Sequence, residues 1–363
     1  MRTSMSFTIL AGLAAGAGSV QAQSNVTIYG IVDAAYGRES GGVAGTNSKL
    51  TSGAQSYSRI GFRGSEDLGG GVSAVFTLEN GFRIDTGEVD TSGTIFNRQA
   101  FVGLRSASAG TLTLGRQYTP WHQALAQVGD PFATGMAGTA RNLFPDYGGN
   151  IRSSNTVLYA APTIEGFTGE LAYSFGEQAG NSDAGRQFGG ALGYSAGPLA
   201  VRLAYNNRNS DIAAAPGVTP VSRTIATNTL LVASYDFKVL KAHVGFGRDH
   251  GFNSAPLGNN NNPFGGVAPT ASVDSRDWLL GVTAPVGPGT LLASVTHKND
   301  RTAFNQDATA WAVGYIYPVS KRTNFYTAYG AIDNKNGAGY TVANNSEVGS
   351  GDRAFNLGVR HSF

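Results

Sequence analysis

The chain has 363 residues, including 51 Gly, 15 Tyr and 19 Phe, and it contains no Cys; 26 Lys and Arg residues against 24 Asp and Glu residues leave a net charge of +2. The near-neutral charge argues against a nucleic-acid-binding protein, which needs a basic surplus on one face. The lack of Cys excludes a disulfide scaffold, a Cys-ligated zinc site and a thiol nucleophile, and the 41% hydrophobic content argues against intrinsic disorder.

The first 22 residues have the pattern of a secretory signal peptide. Arg2 provides a positive charge, and the segment 7–20 (FTILAGLAAGAGSV) is free of charge and largely apolar. Small residues at Val20 and Ala22 occupy the −3 and −1 positions of a cleavage site. The apolar stretch is too short for a spanning helix, which needs about 20 residues. We expect residues 1–22 to be removed on export and residues 23–363 to form one mature unit.

Most of the remaining chain consists of short segments in which apolar side chains alternate with small or polar ones. In the segment 71–82, for example, Val72 and Phe76 share one face and Ser73 and Thr77 share the other. This period of two is typical of a strand with two unlike faces. Sixteen such strands are predicted, at 25–36, 56–64, 71–82, 95–107, 111–118, 151–161, 167–176, 187–196, 199–208, 225–237, 239–249, 274–285, 290–298, 308–318, 323–332 and 352–363.

Short turns and long polar loops alternate between these strands. The long loops are predicted at 37–55, 83–94, 119–150, 177–186, 209–224, 250–273, 299–307 and 333–351. A soluble β-sandwich or propeller also shows alternating strands, but it does not usually show this asymmetry of connections. Short turns at one end, long loops at the other and an even number of strands are typical of bacterial outer-membrane barrels. The sequence therefore predicts an all-β protein, a sixteen-stranded antiparallel transmembrane β-barrel.

The loop 119–150 is the longest, and its middle is apolar. A solvated loop has no need for side chains such as Trp121, Leu125, Phe132 and Met136. We expect this third long loop to fold inward against the barrel wall and to narrow the channel. The alternatives are that it caps the barrel or packs on a neighbouring subunit.

Seven short motifs follow one another along nearly the whole mature chain. They are 24–33 (SNVTIYGIVD), 58–71 (SRIGFRGSEDLGGG), 97–99 (NRQ), 110–116 (GTLTLGR), 152–159 (RSSNTVLY), 320–323 (SKRT) and 359–363 (VRHSF). In this order they resemble the trimeric general porins of Gram-negative bacteria, of the β-proteobacterial and neisserial type. The resemblance implies an outer-membrane homotrimer that forms a passive, water-filled channel. It also implies that the third loop forms the constriction and that Arg59, Arg98 and Arg152 face that loop, as arginines do in anion-selective members.

The alternation of apolar and polar residues along each strand predicts whether the side chains of these three arginines face the lumen. Arg59 and Arg152 are out of phase with the apolar residues of their strands, which predicts that both face the lumen. Arg98 is in phase with the apolar Val102, so it can face the lumen only if a β-bulge lies between them. Each of the further lumen-facing candidates is equally compatible with an ordinary solvated position; they are Arg63, Glu79, Arg202 and Arg208.

The expected charge balance at the constriction is positive. Asp130 and Asp146 of the third loop are the predicted acidic partners of the arginines, and Arg141 offsets one of them. Fixed charges act strongly on an ion in a narrow pore, and rings of Arg favour anions. We expect a preference for small anions in a channel that also passes other small hydrophilic solutes.

Other functional classes have less support in the sequence. A barrel enzyme needs Ser or Asp beside His in a fixed arrangement, whereas the five His residues are dispersed along the chain. Neither an enzymatic activity nor a metal or cofactor site is expected. A substrate-specific outer-membrane channel is the nearest alternative, followed by an exported adhesin-type barrel.

The end of the chain resembles a signal for barrel assembly. Phe363 is preceded by apolar or aromatic residues at alternating positions back to Phe355, as in the C-terminal signal read by the barrel-assembly machinery. The expected partners are therefore two further copies of the chain, outer-membrane lipids and that machinery, with no nucleic acid.

Overall fold

The computed structural model describes residues 25–223, 225–256 and 262–363, so the predicted signal peptide lies outside the described residues and stays a prediction. The described residues contain seventeen strand segments in one antiparallel sheet. The strands are β1 Asn25–Ser40, β2 Asn47–Ser52, β3 Arg59–Gly69, β4 Val72–Gly81, β5 Gln99–Ser106, β6 Gly110–Tyr118, β7 Arg152–Ala160, β8 Phe167–Ser174, β9 Gln187–Ala196, β10 Leu199–Arg208, β11 Ala226–Asp236, β12 Lys241–His250, β13 Asp274–Val286, β14 Gly289–Asp300, β15 Ala308–Pro318, β16 Thr323–Asn334 and β17 Arg353–Ser362.

The seventeen segments form sixteen barrel strands because the second one is interrupted. β2 pairs with the later half of β1, and β3 pairs with its first half. Residues 53–58 separate the two pieces. β1 also pairs with β17, and this pairing closes the sheet. The predicted sixteen-stranded antiparallel barrel is confirmed.

β2 corrects one prediction, since it lies within the segment 37–55 that the sequence assigns to a loop. β1 also extends beyond its predicted end, to Ser40. Both additions are at the end of the barrel that carries the long loops, where strands leave the apolar band of the membrane. Side chains there are mostly polar on both faces, and Leu50 is the one apolar residue of Asn47–Ser52, so the period of two disappears from the sequence.

The alternation along each strand separates an apolar outer face from a small or polar inner face. On β6, Leu112 and Leu114 are exposed on the outside, whereas Thr113 between them is buried inside. On β13, Trp278 is exposed and Asp277 is buried. Among the described residues, no helix is long and apolar enough to cross a membrane.

Short connections lie at one end of the barrel. β3 and β4 are joined by Gly70 and Gly71, both with positive φ, which is the backbone that a two-residue hairpin of type I′ requires. The predicted strands 56–64 and 71–82 leave a turn at 65–70, and the turn observed is shorter because β3 continues through Gly69. Long connections lie at the opposite end, and the longest joins β6 to β7.

The C-terminal residue completes the closure of the barrel. The backbone N–H of Phe363 donates to the carbonyl of Gly30 at 3.1 Å, and the N–H of Gly30 donates back to the carbonyl of Phe363 at 3.1 Å. The Phe363 ring lies over Gly30, so a Cβ at that glycine would overlap the ring. The ring is exposed on the outer face of the barrel.

Candidate functional site

The third long loop lies inside the barrel. It begins with a short helix, α1 (Pro120–Ala124), which Thr119 caps by accepting a hydrogen bond from the N–H of His122 at 3.1 Å. Trp121 and Leu125 are fully buried in one cluster with Leu230 and Val232 of β11. Leu231, between those two wall residues, is 47% exposed on the outer face. The loop therefore packs on the inner face of the wall.

The rest of the loop continues along the same inner face toward the seam between β17 and β1. Phe132 and Met136 share a second buried cluster with wall residues of β14 to β17 and of β1. The wall is built of small residues here. A Cβ on Gly281 would come within 2.6 Å of Pro131, and a Cβ on Gly330 would overlap the carbonyl of Ala137. Small side chains on the inner face leave the space that the loop occupies.

The two aspartates of the loop correct a prediction, because neither faces an open channel. Asp130 is 4% exposed and accepts hydrogen bonds from the backbone N–H groups of Phe132, Thr134 and Ala140 at 2.8–2.9 Å. Burial raises the pKa of Asp130 to about 6, and the three backbone N–H donors oppose this rise because they stabilise the carboxylate. Through these hydrogen bonds the carboxylate stabilises the conformation of the loop, and it is not exposed to solutes in the channel.

Asp146 is likewise internal to the loop. It is fully buried, and its Oδ1 atom lies 2.8 Å from Nδ1 of His122. The second carboxylate oxygen lies 3.7 Å from Nε of Arg141. Aspartates fill such positions because a short side chain can bond local backbone and neighbouring cations. The prediction of two acidic groups at the constriction is therefore wrong.

The three predicted arginines do come together, around Tyr118 at the end of β6. Arg98 and Arg152 both donate to the Tyr118 hydroxyl, Arg152 at 3.3 Å. Their guanidinium carbons lie 5.9 and 4.8 Å from the centre of the Tyr118 ring. Tyr57, from the interruption between β2 and β3, covers the cluster at 4.8 Å from Arg98. Such cation–π contacts stabilise like charges that are held close together.

Glu79 is the acidic member of this cluster. Its Oε1 atom accepts a hydrogen bond from Nε of Arg98 at 2.7 Å and lies 3.8 Å from Nη1 of Arg59. The Tyr29 hydroxyl donates to the other carboxylate oxygen at 3.0 Å. From its sequence context, Glu79 is predicted only as one lumen-facing candidate among several. With three arginines and one glutamate, the cluster carries a formal charge of +2.

Arg98 reaches the cluster without the expected bulge. β5 begins one residue later, at Gln99, and pairs with β4 without a shift in register. Because Arg98 precedes the strand, the alternation along β5 does not determine its direction. Its side chain is 2% exposed.

A register shift is present between β6 and β7, where Asn155 has a φ of +56°. An extra residue at this point changes which face the neighbouring side chains occupy. Arg152 joins the cluster at Tyr118, although the alternation used to predict its direction does not continue through the bulge.

A cavity of about 680 Å³ adjoins the arginine cluster. Its lining includes Arg152 and three further arginines, Arg116, Arg141 and Arg208. The acidic residues in its lining are Asp90 and Glu347. Of these arginines, Arg208 is one of the lumen-facing candidates from the sequence, and Arg141 is expected there only to offset an aspartate. Arg116 was missed, and its position within the motif 110–116 was the available signal.

The remaining lumen candidates lie on the inner face. The guanidinium carbon of Arg63 is 5.1 Å from the centre of the Tyr29 ring. Arg202 is in phase with Ala204 and Asn206, which are buried on the inside of β10. Neither belongs to the arginine cluster.

The last long loop, between β16 and β17, is predicted as a polar loop, and in the structure it packs against the third loop. Asn345 donates to the carbonyl of Thr134 at 2.9 Å, and Arg141 donates to the carbonyl of Asn345. The side-chain carbonyl of Asn345 also accepts from the N–H of Tyr57 at 3.2 Å. Three separate parts of the chain therefore hold one another beside the arginine cluster.

We expect Glu79→Gln to destabilise the barrel interior. The substitution leaves Arg98 buried without its counter-ion, and breaking a buried ion pair costs about 3–5 kcal/mol. The temperature at which the folded form is lost, followed by gel mobility or circular dichroism, should fall clearly. The matched control is Glu88→Gln in the exposed loop after β4, which should leave that temperature unchanged. Equal stability of the two variants would contradict the assigned role of Glu79.

Comparison with known proteins agrees with this architecture. The family described as Gram-negative porin matches residues 9–337. The chain belongs to the Gram-negative porin family. An outer membrane porin protein of Bordetella pertussis is 32% identical over the full length of both chains, and outer membrane porin protein 32 of Delftia acidovorans is 32% identical over 99% of both. The protein is thus an outer-membrane porin.

Solved structures show the same fold. An anion-selective porin from Comamonas acidovorans is 27% identical, with a TM-score of 0.73 over 94% of this chain and all of that one. The trimer form of OmpT of Vibrio cholerae is 16% identical, with a TM-score of 0.63 over 94% of this chain and 99% of that one. The roles of individual side chains in this porin stay predictions.

Proposed function

We propose that this porin prefers anions and passes small anions and hydrophilic solutes by passive diffusion. The observation that carries the proposal is the cluster of Arg59, Arg98, Arg152 and Glu79, with its charge of +2, beside a cavity with further arginines. A positive potential in a confined passage raises the local concentration of anions and lowers that of cations. The similar porin from Comamonas acidovorans is described as anion-selective, which supports the proposal.

The burial of the two aspartates of the third loop is compatible with this proposal. Asp130 and Asp146 are held inside the loop, and Arg141 and His122 lie beside Asp146. Neither carboxylate is exposed to the passage, so solutes do not contact these two acidic groups directly.

The reversal potential of single channels in planar bilayers tests the proposal. In a gradient of potassium chloride around 0.1 M, the wild-type porin should pass chloride in preference to potassium. The preference should weaken near 1 M, where the Debye length falls to about 3 Å. Cation preference at low salt would overturn the proposal. Conductance that saturates with one particular anion would instead support a substrate-specific channel.

We also propose that the porin is a homotrimer without enzymatic activity, assembled through its C-terminal signal by the barrel-assembly machinery. Its relatives are named as porins, and one structural neighbour is described in a trimer form. The hydrogen bonds between Phe363 and Gly30 at the barrel seam support a role of the last residue in closure.

Deletion of Phe363 should leave export intact and sharply lower the yield of folded trimer in the outer membrane. The deletion removes both the aromatic end of the signal and the last pair of hydrogen bonds at the seam. Heat-modifiable trimer on gels, compared with total exported protein, measures the effect. The matched control is Phe363→Tyr, which keeps an aromatic terminus and should assemble normally. A normal yield of trimer from the truncated chain would contradict the prediction.

A further inference from the structure

Two buried aspartates lie side by side on the inner face of neighbouring strands. Asp249 is on β12 and Asp277 is on β13, and both side chains are fully buried. Gly247 is directly opposite Asp277, so the two carboxyl groups are diagonal neighbours on one face of the sheet. A Cβ placed on Gly247 would lie 3.5 Å from Oδ2 of Asp249 and 3.5 Å from Cβ of Asp277. The two carboxyl groups thus meet above this glycine, within hydrogen-bonding reach of each other.

A buried lysine neutralises part of their charge. Lys298 of β14 is directly opposite Asp277 and is fully buried. Its Nζ donates to Oδ2 of Asp277 at 2.6 Å, to Oγ of Ser275 at 2.9 Å and to the carbonyl of Ser254 at 3.0 Å. An ammonium group has three donors, and these three acceptors use all of them. Lys298 is therefore charged and has no donor left for Asp249.

One oxygen of each carboxyl group has no donor. Oδ1 of Asp249 accepts a hydrogen bond from Nδ2 of Asn228 at 2.6 Å. Within the part of the chain that the structure describes, Oδ2 of Asp249 and Oδ1 of Asp277 have no N–H or O–H partner. If both carboxyl groups are ionised, the group with Lys298 carries a charge of −1, and an unpaired charge is costly to bury. The arrangement requires one more positive charge between the two carboxyl groups.

The surrounding elements do not supply this charge among the described residues. Arg248 and Arg276, beside the aspartates along the strands, are exposed on the outer face. Tyr340 of the loop between β16 and β17 lies near Asp277 but carries no positive charge. Asp300, further along β14, is a carboxylate with its own hydrogen bonds from Ser272, Thr302 and Gln306. The third loop presents Phe144, whose ring lies 3.1 Å from the Cβ position on Gly247.

We propose that Asp249 and Asp277 bind one proton between them at neutral pH, and that this shared proton helps to hold two loops against the inner wall. The proton joins Oδ2 of Asp249 to Oδ1 of Asp277 in one hydrogen bond, as in other pairs of carboxyl groups too close for both to ionise. One neutral acid, one carboxylate and the ammonium of Lys298 then add up to zero charge. The pair is separate from the arginine cluster and contributes nothing to its charge.

The side chains that bond the two carboxyl groups also bond the loops. Asn228 donates to the carbonyl of Asn253 at 2.9 Å, and Lys298 donates to that of Ser254. Both carbonyls belong to the start of the loop after β12, which is buried inside the barrel. Oδ1 of Asn228 accepts a hydrogen bond from Nδ2 of Asn150, at the end of the third loop, at 3.1 Å. The shared proton therefore lies at the centre of a network that reaches both loops.

Loss of the proton at alkaline pH should loosen both loops. It leaves two negative charges beneath Phe144 in a buried site, so that one carboxylate has to turn away or admit water. Either movement disturbs Asn228 or Lys298 and the carbonyls that they hold. Current fluctuations of single wild-type channels should rise severalfold as the pH is raised from neutral to alkaline.

Infrared spectroscopy of the purified porin tests the proton directly. At neutral pH the wild type should show the stretching band of a protonated carboxylic acid, and this band should shift in deuterated water. Asp249→Asn should remove it, because the amide donates to Asp277 and accepts from Asn228 without needing a proton. The difference spectrum of wild type and variant isolates this band from those of other acids.

Stability gives a second measurement with a defined sign. The folded porin holds a proton that the unfolded chain releases, since exposed aspartates are ionised at neutral pH. The ratio of folded to unfolded wild type should therefore fall with rising pH, by up to about tenfold per pH unit from this proton. Asp249→Asn should lack this contribution. The matched control is Asp274→Asn, which makes the same substitution on the outer side of β13 and should keep the pH dependence of the wild type.

Three outcomes would overturn the proposal. A difference spectrum without a carboxylic-acid band, or equal pH dependence of stability in the wild type and Asp249→Asn, would show that no proton is shared. Stability of the wild type that depends on sodium or calcium, and no longer does so in Asp249→Asn, would assign the position to a metal cation instead. The wild type alone also decides the matter if the variant does not fold: current fluctuations that rise with pH while the band persists would contradict the role of the proton.

Discussion

Replacing Arg59 and Arg152 together by Glu should convert the porin from anion preference toward cation preference. Each substitution changes the local charge by two units, so the charge of the cluster with Arg98 and Glu79 goes from +2 to −2. Neither side chain belongs to the outer face, so the variant should still form folded channels. The change in reversal potential should be large at 0.1 M salt and small near 1 M, where the Debye length is about 3 Å.

A second double variant separates the cluster from the charge of the lumen in general. Arg63→Glu/Arg202→Glu makes the same change in charge at inner-face positions outside the cluster, and it should shift the reversal potential much less. An unchanged reversal potential in Arg59→Glu/Arg152→Glu would show that these two arginines are not at the constriction. Arg98→Glu is less informative, because it removes the nearest counter-ion of the buried Glu79, which lies 2.7 Å from Nε of Arg98, and is expected to disturb folding as well as charge.

Replacing Asp130 by Ala should release part of the third loop from the wall. The carboxylate accepts three backbone hydrogen bonds, and each buried N–H left without an acceptor costs about 1–3 kcal/mol. The barrel itself does not depend on these bonds, so the variant should still assemble. Single channels should show a higher mean conductance, broader current fluctuations and faster uptake of large hydrophilic solutes.

The control for this variant is Asp183→Ala. Asp183 pairs with Arg186 in an exposed loop, where a surface ion pair contributes little, so conductance should be unchanged. A wild-type current trace from Asp130→Ala would contradict the role assigned to this carboxylate. Failure of the variant to assemble would show that the loop also stabilises the barrel as a whole.

The strands could be predicted because the pattern that identifies each one lies within its own sequence. A membrane barrel needs apolar side chains outside and small or polar ones inside, so the alternation repeats in every strand. The alternation does not predict strands where that requirement ends, as at β2. It also gives no information about Arg98, which precedes its strand. The bulge beside Asn155 is equally invisible, because one added residue changes the phase without changing the composition.

The contents of the lumen were harder to predict than its wall. The apolar residues of the third loop indicated that it packs inward, and the contacts of Trp121 and Phe132 agree with this prediction. The direction of Asp130 and Asp146 depends on bonds within the loop, and the position of Asn345 depends on a partner more than 200 residues away. A single sequence shows which groups are available for such contacts but not which of them meet.

The buried cluster around Phe132 and Met136 has a consequence for the use of such barrels as nanopores. The cluster contains Ala354 of β17 and Ala35 of β1, the two strands that meet at the seam. The third loop thus packs against both strands of the seam from inside the barrel, in addition to occupying part of the passage. Shortening this loop to admit larger molecules would also remove its packing contacts across the seam between β17 and β1. The seam would then need to be stabilised by other contacts.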